Sequence, residues 1–234
     1  MRRPLLFVTS VAAIGVAAML GRRAGGSFAT SGDLGLLTLE EARLDLARGI
    51  KEEGGYNSGP AIDAYAAPWG IATPVSWCAL AFSAWVERAS QKLGIVAPVG
   101  SPLAQEIKNQ FIRKLAWITV EEIQDSDLRP GNVAIWSAEP NPDYRGHIGI
   151  ISAHSPGSKT FDAIEGNSGP IGDRVALMTR NLVGYEGHVL LGIGRLTMGP
   201  QIMTEGQQLY LQQRYSPANV PILEDEGFPF LYAA

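Results

Sequence analysis

The most constraining feature of the sequence is an uncharged stretch, WCALAFSAWV, at residues 77–86. Apolar or small side chains follow one another almost without interruption, and a helix that has no polar face is a buried helix. The only cysteine of the chain, Cys78, is the second residue of this stretch. Pro74 and Ser76 come just before it and favour a helix start, so we predict Ser76 as the N-cap and Cys78 in the first turn.

A thiol in the first turn of a helix lies beside unpaired backbone N–H groups and the positive end of the helix dipole, which favour a thiolate. The sequence therefore predicts a reactive Cys78 at the start of a central helix. The alternative is that Cys78 is a small, inert residue of the hydrophobic core.

Composition excludes several classes of function. The net charge is −4 and no basic stripe follows the N-terminus, so we expect no nucleic-acid partner. A single cysteine rules out a Cys-pair zinc motif, the histidines are not at metal-ligand spacing, and Asp63 alone cannot hold calcium. We therefore expect neither a metal nor a cofactor.

The first 26 residues have the pattern of a targeting segment. Two arginines precede an uncharged apolar run at residues 5–20, and two more follow it. This is typical of a secretory signal peptide or of a weak N-terminal membrane anchor, whereas a buried core helix is the alternative. We expect an exported protein, periplasmic or extracellular, that is either released or held at the membrane through residues 5–20.

The rest of the chain divides into three segments. Residues 27–37 are rich in Gly, Ser and Thr and are predicted to be a linker. A single domain is predicted at residues 38–197, with a helix that begins with a cap near Thr38. Residues 198–234 form a C-terminal extension that contains no repeat or basic patch. No pattern in the sequence indicates an oligomeric state.

Helical patterns precede strand patterns within the predicted domain. After the cysteine helix and a short helix at residues 104–115, alternating apolar segments separated by polar turns predict strands. They read RPGNVAIW, HIGIISAH, KTFDAIEGN, RVALMTRNL and HVLLGIGRL. This order predicts an α+β domain in which the cysteine helix packs on an antiparallel sheet, a meander that is closed or half closed into a barrel.

A histidine and two polar residues on these strands are candidates for a site with Cys78. His147 begins the strand HIGIISAH and could act as a general base towards the thiol. Glu165 and Asn167 lie on the next strand and share a face if the strand is regular, so both could orient the imidazole. His188, in the similar string GHVLLGIG, is the rival base, and His154 is predicted to be only solvated.

Four segments in order, WCALAFSAW, PGNVAIW, GHIGI and IEGN, resemble the CHAP family, the cysteine, histidine-dependent amidohydrolases/peptidases. The resemblance implies a papain-like fold with a helix-borne cysteine and cleavage of amide bonds in peptidoglycan. It further implies Cys78 as nucleophile, His147 as base, Glu165 as the residue that orients the imidazole and Asn167 as an assisting fourth member. Asn132 departs from the acidic residue that the family has after Pro-Gly.

The sequence thus leads to three functional hypotheses. The first is a cysteine amidohydrolase or peptidase that acts on peptidoglycan or a peptide substrate, with Tyr65, Asn57 and Trp77 lining the substrate groove. A core position is the alternative for Trp77. The second hypothesis is a catalytically silent wall-binding or assembly module with the same fold. The third is a phage-type lysin that is released from its N-terminal anchor.

Overall fold

A computed structural model of the protein describes residues 33–138, 146–185 and 187–196. Within these ranges, α-helices precede a β-sheet. The helices are α1 (Asp33–Ala47), α2 (Pro60–Ala66), α3 (Cys78–Leu93) and α4 (Ala104–Arg113), and single 3₁₀ turns lie at Ala67–Trp69, Val120–Glu122 and Asp125–Leu128. The strands are β1 (Trp117–Thr119), β2 (Val133–Ala138), β3 (Gly146–His154), β4 (Thr160–Ser168), β5 (Arg174–Asn181), β6 (Gly184–Tyr185) and β7 (His188–Gly194).

All described strand pairs are antiparallel and belong to one sheet. Its order is β1-β7-β2-β3-β4-β5, and β6 pairs with β7. Strands β2 to β5 pair in sequence order and form the predicted meander. Strand β7 does not continue this order after β5 but pairs with β2 at the other end of the meander. The sheet is open at β1 and β5 in the described part of the chain, so the closed-barrel alternative is wrong. The predicted α+β class, with helices before an antiparallel sheet, is confirmed.

The two faces of the sheet carry separate hydrophobic clusters. One cluster joins the helices to the sheet and includes Phe82 and Trp85 of α3 together with Ile148, Ile150 and Ile164. The other face buries Trp136, which lies with Ala134, Ile151, Phe161, Leu190 and Ile193. Trp136 therefore points away from Val133 and Ile135, as the period of two along β2 predicts. Full burial of an aromatic or branched side chain stabilises the fold by about 1.5–3 kcal/mol.

The first helix begins earlier than predicted. Helix α1 starts at Asp33, so the last five residues of the predicted linker, 33–37, are helical. Leu34 and Leu39 are both buried, and their packing extends the helix towards its N-terminus. The predicted cap at Thr38 is also wrong, because this residue lies inside the helix and its hydroxyl donates to the carbonyl of Leu34 at 2.7 Å.

A buried carboxylate joins α1, α2 and α3. Oδ2 of Asp45 accepts hydrogen bonds from the Tyr65 hydroxyl at 2.6 Å and from the Trp85 indole at 2.8 Å. It also accepts one from Arg88 at 2.6 Å. A buried charge needs such partners, because an unpaired one is strongly destabilising. Asp45 therefore fixes α3 against the two preceding helices.

Two strands and two terminal segments complete the comparison with the sequence. The short strands β1 and β6 were not predicted, and β1 lies in a segment predicted to be loop and short helix. The predicted targeting segment (1–26) and the C-terminal extension (198–234) lie outside the described residues. None of the helices in the described ranges combines the length and the apolar character that a membrane span requires.

Candidate functional site

Cys78 is the first residue of α3, as predicted, and its thiol is free. The N-cap is Trp77 rather than Ser76, and no side chain caps the helix. The backbone N–H of Trp77 instead donates to Oδ1 of Asn167 at 3.0 Å, and its indole N–H donates to Oε1 of Glu52 at 3.1 Å. These bonds fix the residue that immediately precedes the cysteine.

The sulfur of Cys78 lies at the beginning of β3. Its Sγ atom is 3.9 Å from the carbonyl oxygen of Gly146, the first residue of that strand. The imidazole of the next residue, His147, interacts electrostatically with the side chain of Cys78. The start of α3 and the start of β3 therefore meet, and they bring together a thiol and an imidazole that are distant in the sequence.

Glu165 holds the other side of the imidazole. Nε2 of His147 lies 2.9 Å from Oε2 of Glu165, which is fully buried on the neighbouring strand β4. Because Nε2 is engaged with the carboxylate, Nδ1 is the ring nitrogen left to face the sulfur. This is the orientation that a general base needs when a third group fixes its tautomer.

The electrostatics of the site favour a charged imidazole. Burial opposes the charge, but the negative charges of Glu165 and of a Cys78 thiolate, together with hydrogen bonding to these two groups, outweigh it and raise the pKa of His147 to about 10. A cationic imidazole beside a sulfur is the arrangement in which cysteine nucleophiles act as thiolates.

Glu165 carries a full negative charge because donors surround it. Burial would raise its pKa, but the hydrogen bonds from Arg180 and the charge and hydrogen bond of His147 lower it to about 2. Ser168 adds a third donor, since its hydroxyl lies 2.9 Å from Oε2. Neither Arg180 nor Ser168 was predicted from the sequence, although both lie on strands that were.

Aromatic rings enclose His147 on the sheet face opposite the helices. Trp136 is its cross-strand partner on β2, with ring centroids 5.9 Å apart. Tyr185 lies 6.3 Å away, and His188, the rival base, lies 6.0 Å away and stacks on Tyr185. The sulfur contacts Gly146, the residue directly before His147, and the imidazole of His147 interacts with Cys78, so His147 is favoured over His188 as the base.

Asn167 does not contact the imidazole. The pairing of β4 with β5 shifts between Glu165 and Ser168, and Asn167 adopts a left-handed backbone with φ of 52°. The predicted sharing of one face with Glu165 fails at this bulge. The amide of Asn167 instead accepts from Trp77 and donates to Oδ1 of Asn57 at 3.1 Å and to the carbonyl of Gly172 at 2.5 Å.

The three residues predicted to line a substrate groove are inside the protein. Trp77 is fully buried, and Tyr65 and Asn57 are buried with it. Tyr65 stacks on Trp77 and donates to Asp45, and the backbone N–H of Asn57 donates to Glu52 at 2.8 Å. The full burial of Trp77 favours the alternative of a core position for it, whereas Tyr65 and Asn57 are about as exposed as Cys78, so their contact with substrate stays a prediction. These residues support the start of α3.

Two glycines leave room for the site. A Cβ atom at Gly149 would lie 2.6 Å from Cγ of Glu165, its cross-strand partner, so the missing side chain allows Glu165 to lean towards His147. A Cβ atom at Gly166 would lie 2.7 Å from Cβ of Ala81, so this glycine allows α3 to approach β4. Both glycines were visible in the segments GHIGI and IEGN, but their steric role depends on which strands pair.

The remaining predicted polar residues lie elsewhere. His154 is not merely solvated, because its Nε2 atom lies 3.2 Å from Asp125 and its Nδ1 atom 3.0 Å from the carbonyl oxygen of Thr160. Asn132 is buried and donates to the carbonyl oxygen of Asp127 at 2.9 Å. Among the described residues, no cluster of three or more His, Cys, Asp or Glu side chains could bind a metal ion.

Comparison with known proteins yields no match: no family model matches the chain, and neither does any curated protein or solved structure. Function is therefore inferred from the geometry around Cys78 and from the resemblance of the four sequence segments.

Proposed function

We propose that the protein is a cysteine amidohydrolase or peptidase of the CHAP type that cleaves amide bonds in peptidoglycan. The observation that carries the proposal is the chain of contacts from Cys78 through His147 to Glu165. The class of reaction follows from this geometry, whereas the choice of peptidoglycan as substrate follows from the resemblance of the four sequence segments.

The proposed reaction has two steps. The thiolate of Cys78 attacks the amide carbonyl, and the backbone N–H of Cys78, in the first turn of α3, is a candidate donor to the oxyanion. His147 then gives its proton to the leaving amine as the tetrahedral intermediate collapses to a thioester. In the second step, His147 takes a proton from water, and the hydroxide formed hydrolyses the thioester.

Glu165 has a positioning role in this proposal. Its carboxylate accepts from Nε2–H of the neutral imidazole, which leaves the Nδ1 lone pair directed at the sulfur or at the attacking water. It also stabilises the imidazolium that exists before the attack. Asn167 acts one step further away, because it holds the backbone of Trp77 and so the direction in which α3 begins.

A second candidate function is a catalytically silent wall-binding or assembly module. The low exposure of Cys78, 7%, favours it, because a nucleophile must be reached by its substrate. The two candidates differ in the expected outcome of digestion of purified peptidoglycan. A hydrolase releases muropeptides whose masses identify the cleaved bond, whereas a silent module binds the wall and releases none.

The decisive experiment is mass spectrometry of the soluble products after incubation of peptidoglycan with the protein. We expect the wild type to release fragments, and Cys78→Ala and His147→Ala each to release none while they retain the circular dichroism spectrum of the wild type. Equal release by wild type and Cys78→Ala would refute the proposal.

Export to the periplasm or the extracellular space belongs to the same proposal, because peptidoglycan lies outside the cytoplasmic membrane. The residues that would direct export, 1–26, lie outside the described ranges. Fractionation of producing cells tests export, and protein found only in the cytoplasmic fraction would contradict it.

A further inference from the structure

We propose that Arg180 is a positioning residue of the site, which holds the Glu165 carboxylate charged and directed at His147. The inference deepens the proposed hydrolase function and rests on it. Arg180 is not part of any segment on which the family resemblance depends. Its role follows from its contacts with the carboxylate on one side and with an aromatic ring on the other.

The contact with Glu165 is bidentate. Nε of Arg180 donates to Oε1 at 2.8 Å, and Nη2 donates to Oε2 at 2.6 Å. The side chains are 9% and 0% exposed, so water competes little for either. Two parallel bonds of this kind fix the plane of a carboxylate as well as its position. Oε2, which also faces His147, is therefore held in one orientation.

The N–H groups at the edge of the guanidinium bind the carboxylate, and one flat face of the guanidinium packs on Tyr185. The central carbon of the Arg180 guanidinium lies 3.4 Å from the centroid of the Tyr185 ring, and that ring stacks on His188. An aromatic face attracts a cation, so the contact holds Arg180 in place without adding a competing acceptor. Arg180 is thus fixed between β4 and β6, and the carboxylate cannot turn away from His147 unless Arg180 also moves.

The contact between Arg180 and Glu165 also balances the charge of the site. In the reactive state of the proposed hydrolase, the Cys78 thiolate, the His147 imidazolium and the Glu165 carboxylate together carry one net negative charge. The guanidinium of Arg180 brings the sum to zero, which lowers the cost of keeping these charges away from water. The titratable groups that face this pair include His147 on β3, which contacts Glu165, and Tyr185 on β6, which contacts Arg180. Cys78 on α3 lies beyond His147, and His188 on β7 stacks on Tyr185.

Loss of Arg180 has a predictable direction of effect on the thiol. Without its hydrogen bonds, burial dominates and the pKa of Glu165 rises. A protonated Glu165 no longer supports the imidazolium, so the reactive state of Cys78 is lost at acid pH. In a plot of the alkylation rate of Cys78 against pH, the acid limb is the part in which the rate rises with pH. We expect this limb to move to higher pH by about 1–3 units, which is the size of the effect that an adjacent guanidinium has on the pKa of a carboxylate.

The test is the rate of alkylation of Cys78 by iodoacetamide as a function of pH, followed by mass spectrometry of the full chain. Because the chain has one cysteine, every labelled molecule reports on Cys78. The variants are Arg180→Met, Arg180→Lys, Glu165→Gln and the double variant Glu165→Gln/Arg180→Met. The matched control is Arg174→Met on the same strand, where the arginine pairs with Asp173 at the surface.

We expect Arg180→Met to shift the acid limb upward, Arg180→Lys to shift it less, and Arg174→Met to leave it in place. In the Glu165→Gln background the additional Arg180→Met change has no effect on the limb, because Arg180 acts through Glu165. The double variant removes both buried charges together. If Arg180→Met alone does not fold, two other comparisons test the role of Arg180. The acid limb of Arg180→Lys is compared with that of wild type, and the limb of the double variant is compared with that of Glu165→Gln.

An unshifted limb in Arg180→Met and Arg180→Lys would overturn the role of Arg180 and leave the hydrolase proposal intact. An equal shift in the Glu165→Gln background would overturn it as well, because Arg180 would then act by another route. Wild-type Cys78 without a reactive window below neutral pH would overturn both proposals. If the limb shifts as expected but the wild type releases no muropeptides, the positioning role of Arg180 is supported and peptidoglycan is refuted as the substrate.

Discussion

Nε2 of His147 lies 2.9 Å from Oε2 of Glu165, and the two side chains are 9% and 0% exposed. The pair links neighbouring strands β3 and β4 and directs the remaining ring nitrogen at Cys78. A buried pair of this kind contributes to the stability of the fold as well as to chemistry, since the pKa values of both groups differ between the folded and the unfolded protein.

The first prediction concerns the pH dependence of stability. The pKa of Glu165 is lowered from 4.5 to about 2, so its contribution is present above pH 4.5 and is lost as the pH falls towards 2. The pKa of His147 is raised from 6.5 to about 10, so its contribution is present below pH 6.5 and is lost as the pH rises towards 10. We expect the contribution of the pair to the free energy of unfolding to be greatest between pH 4.5 and 6.5.

Urea unfolding of wild type and Glu165→Gln at a series of pH values measures this contribution as a difference. The difference in unfolding free energy should narrow at both ends of the pH range. A difference that stays constant from acid to alkaline pH would show that the pair does not carry the pH dependence.

The second prediction concerns the space beside Glu165. We expect Gly149→Ala to displace the Glu165 side chain, because the new Cβ atom would lie 2.6 Å from its Cγ atom. Overpacking of a buried position costs about 1–3 kcal/mol, and the loss of orientation should also slow alkylation of Cys78 at acid pH. Gly100→Ala is the control, since the nearest atom to its Cβ lies at 3.6 Å. Full acid-pH reactivity in Gly149→Ala would contradict the steric role of Gly149.

The third prediction concerns Asn167. Asn167→Ala removes the acceptor of the Trp77 N–H and places alanine at a φ of 52°, whereas Asn167→Gly removes only the side-chain bonds. We expect both variants to lose about 1–3 kcal/mol from unsatisfied buried groups, and Ala to lose a further ~1 kcal/mol from backbone strain. Urea unfolding measures both values. Wild-type stability in Asn167→Gly would show that the amide does not hold the start of α3.

The fourth prediction concerns the carboxylate that joins the three helices. Asp45→Asn replaces one buried acceptor by a donor and removes the charge that faces Arg88, which keeps its pair with Glu41, so we expect a loss of about 1–3 kcal/mol in unfolding free energy. Asp173→Asn, which changes a surface pair with Arg174, should cost less than about 1 kcal/mol. Similar losses in the two variants would show that burial does not distinguish these carboxylates.

Much of this architecture could be predicted from local patterns. The uncharged run at residues 77–86 identified the buried helix, and alternating apolar residues identified β2, β3, β4, β5 and β7. The pairing of His147 with Glu165 was also accessible, because the two residues lie on strands that follow one another in the sequence. The three-residue strand β1 and the two-residue strand β6 are too short to show an alternating pattern.

The errors have identifiable physical causes. A bulge after Glu165 reversed the expected direction of Asn167, and no local pattern in IEGN distinguishes a bulge from a regular strand. Arg180 was missed because it lies opposite Phe161 in the register, whereas Glu165 lies opposite Ala176, so only the length of the arginine side chain allows the contact.

The fifth prediction is the most direct test of the central claim, that Cys78 and His147 share a proton. It is the rate of Cys78 alkylation by iodoacetamide at pH 6 in wild type, His147→Gln and the control His154→Gln, whose histidine pairs with Asp125 away from the thiol. Wild type and His154→Gln should react at least about tenfold faster than His147→Gln, because only they retain the cation that favours a thiolate. Equal rates in wild type and His147→Gln would contradict the claim.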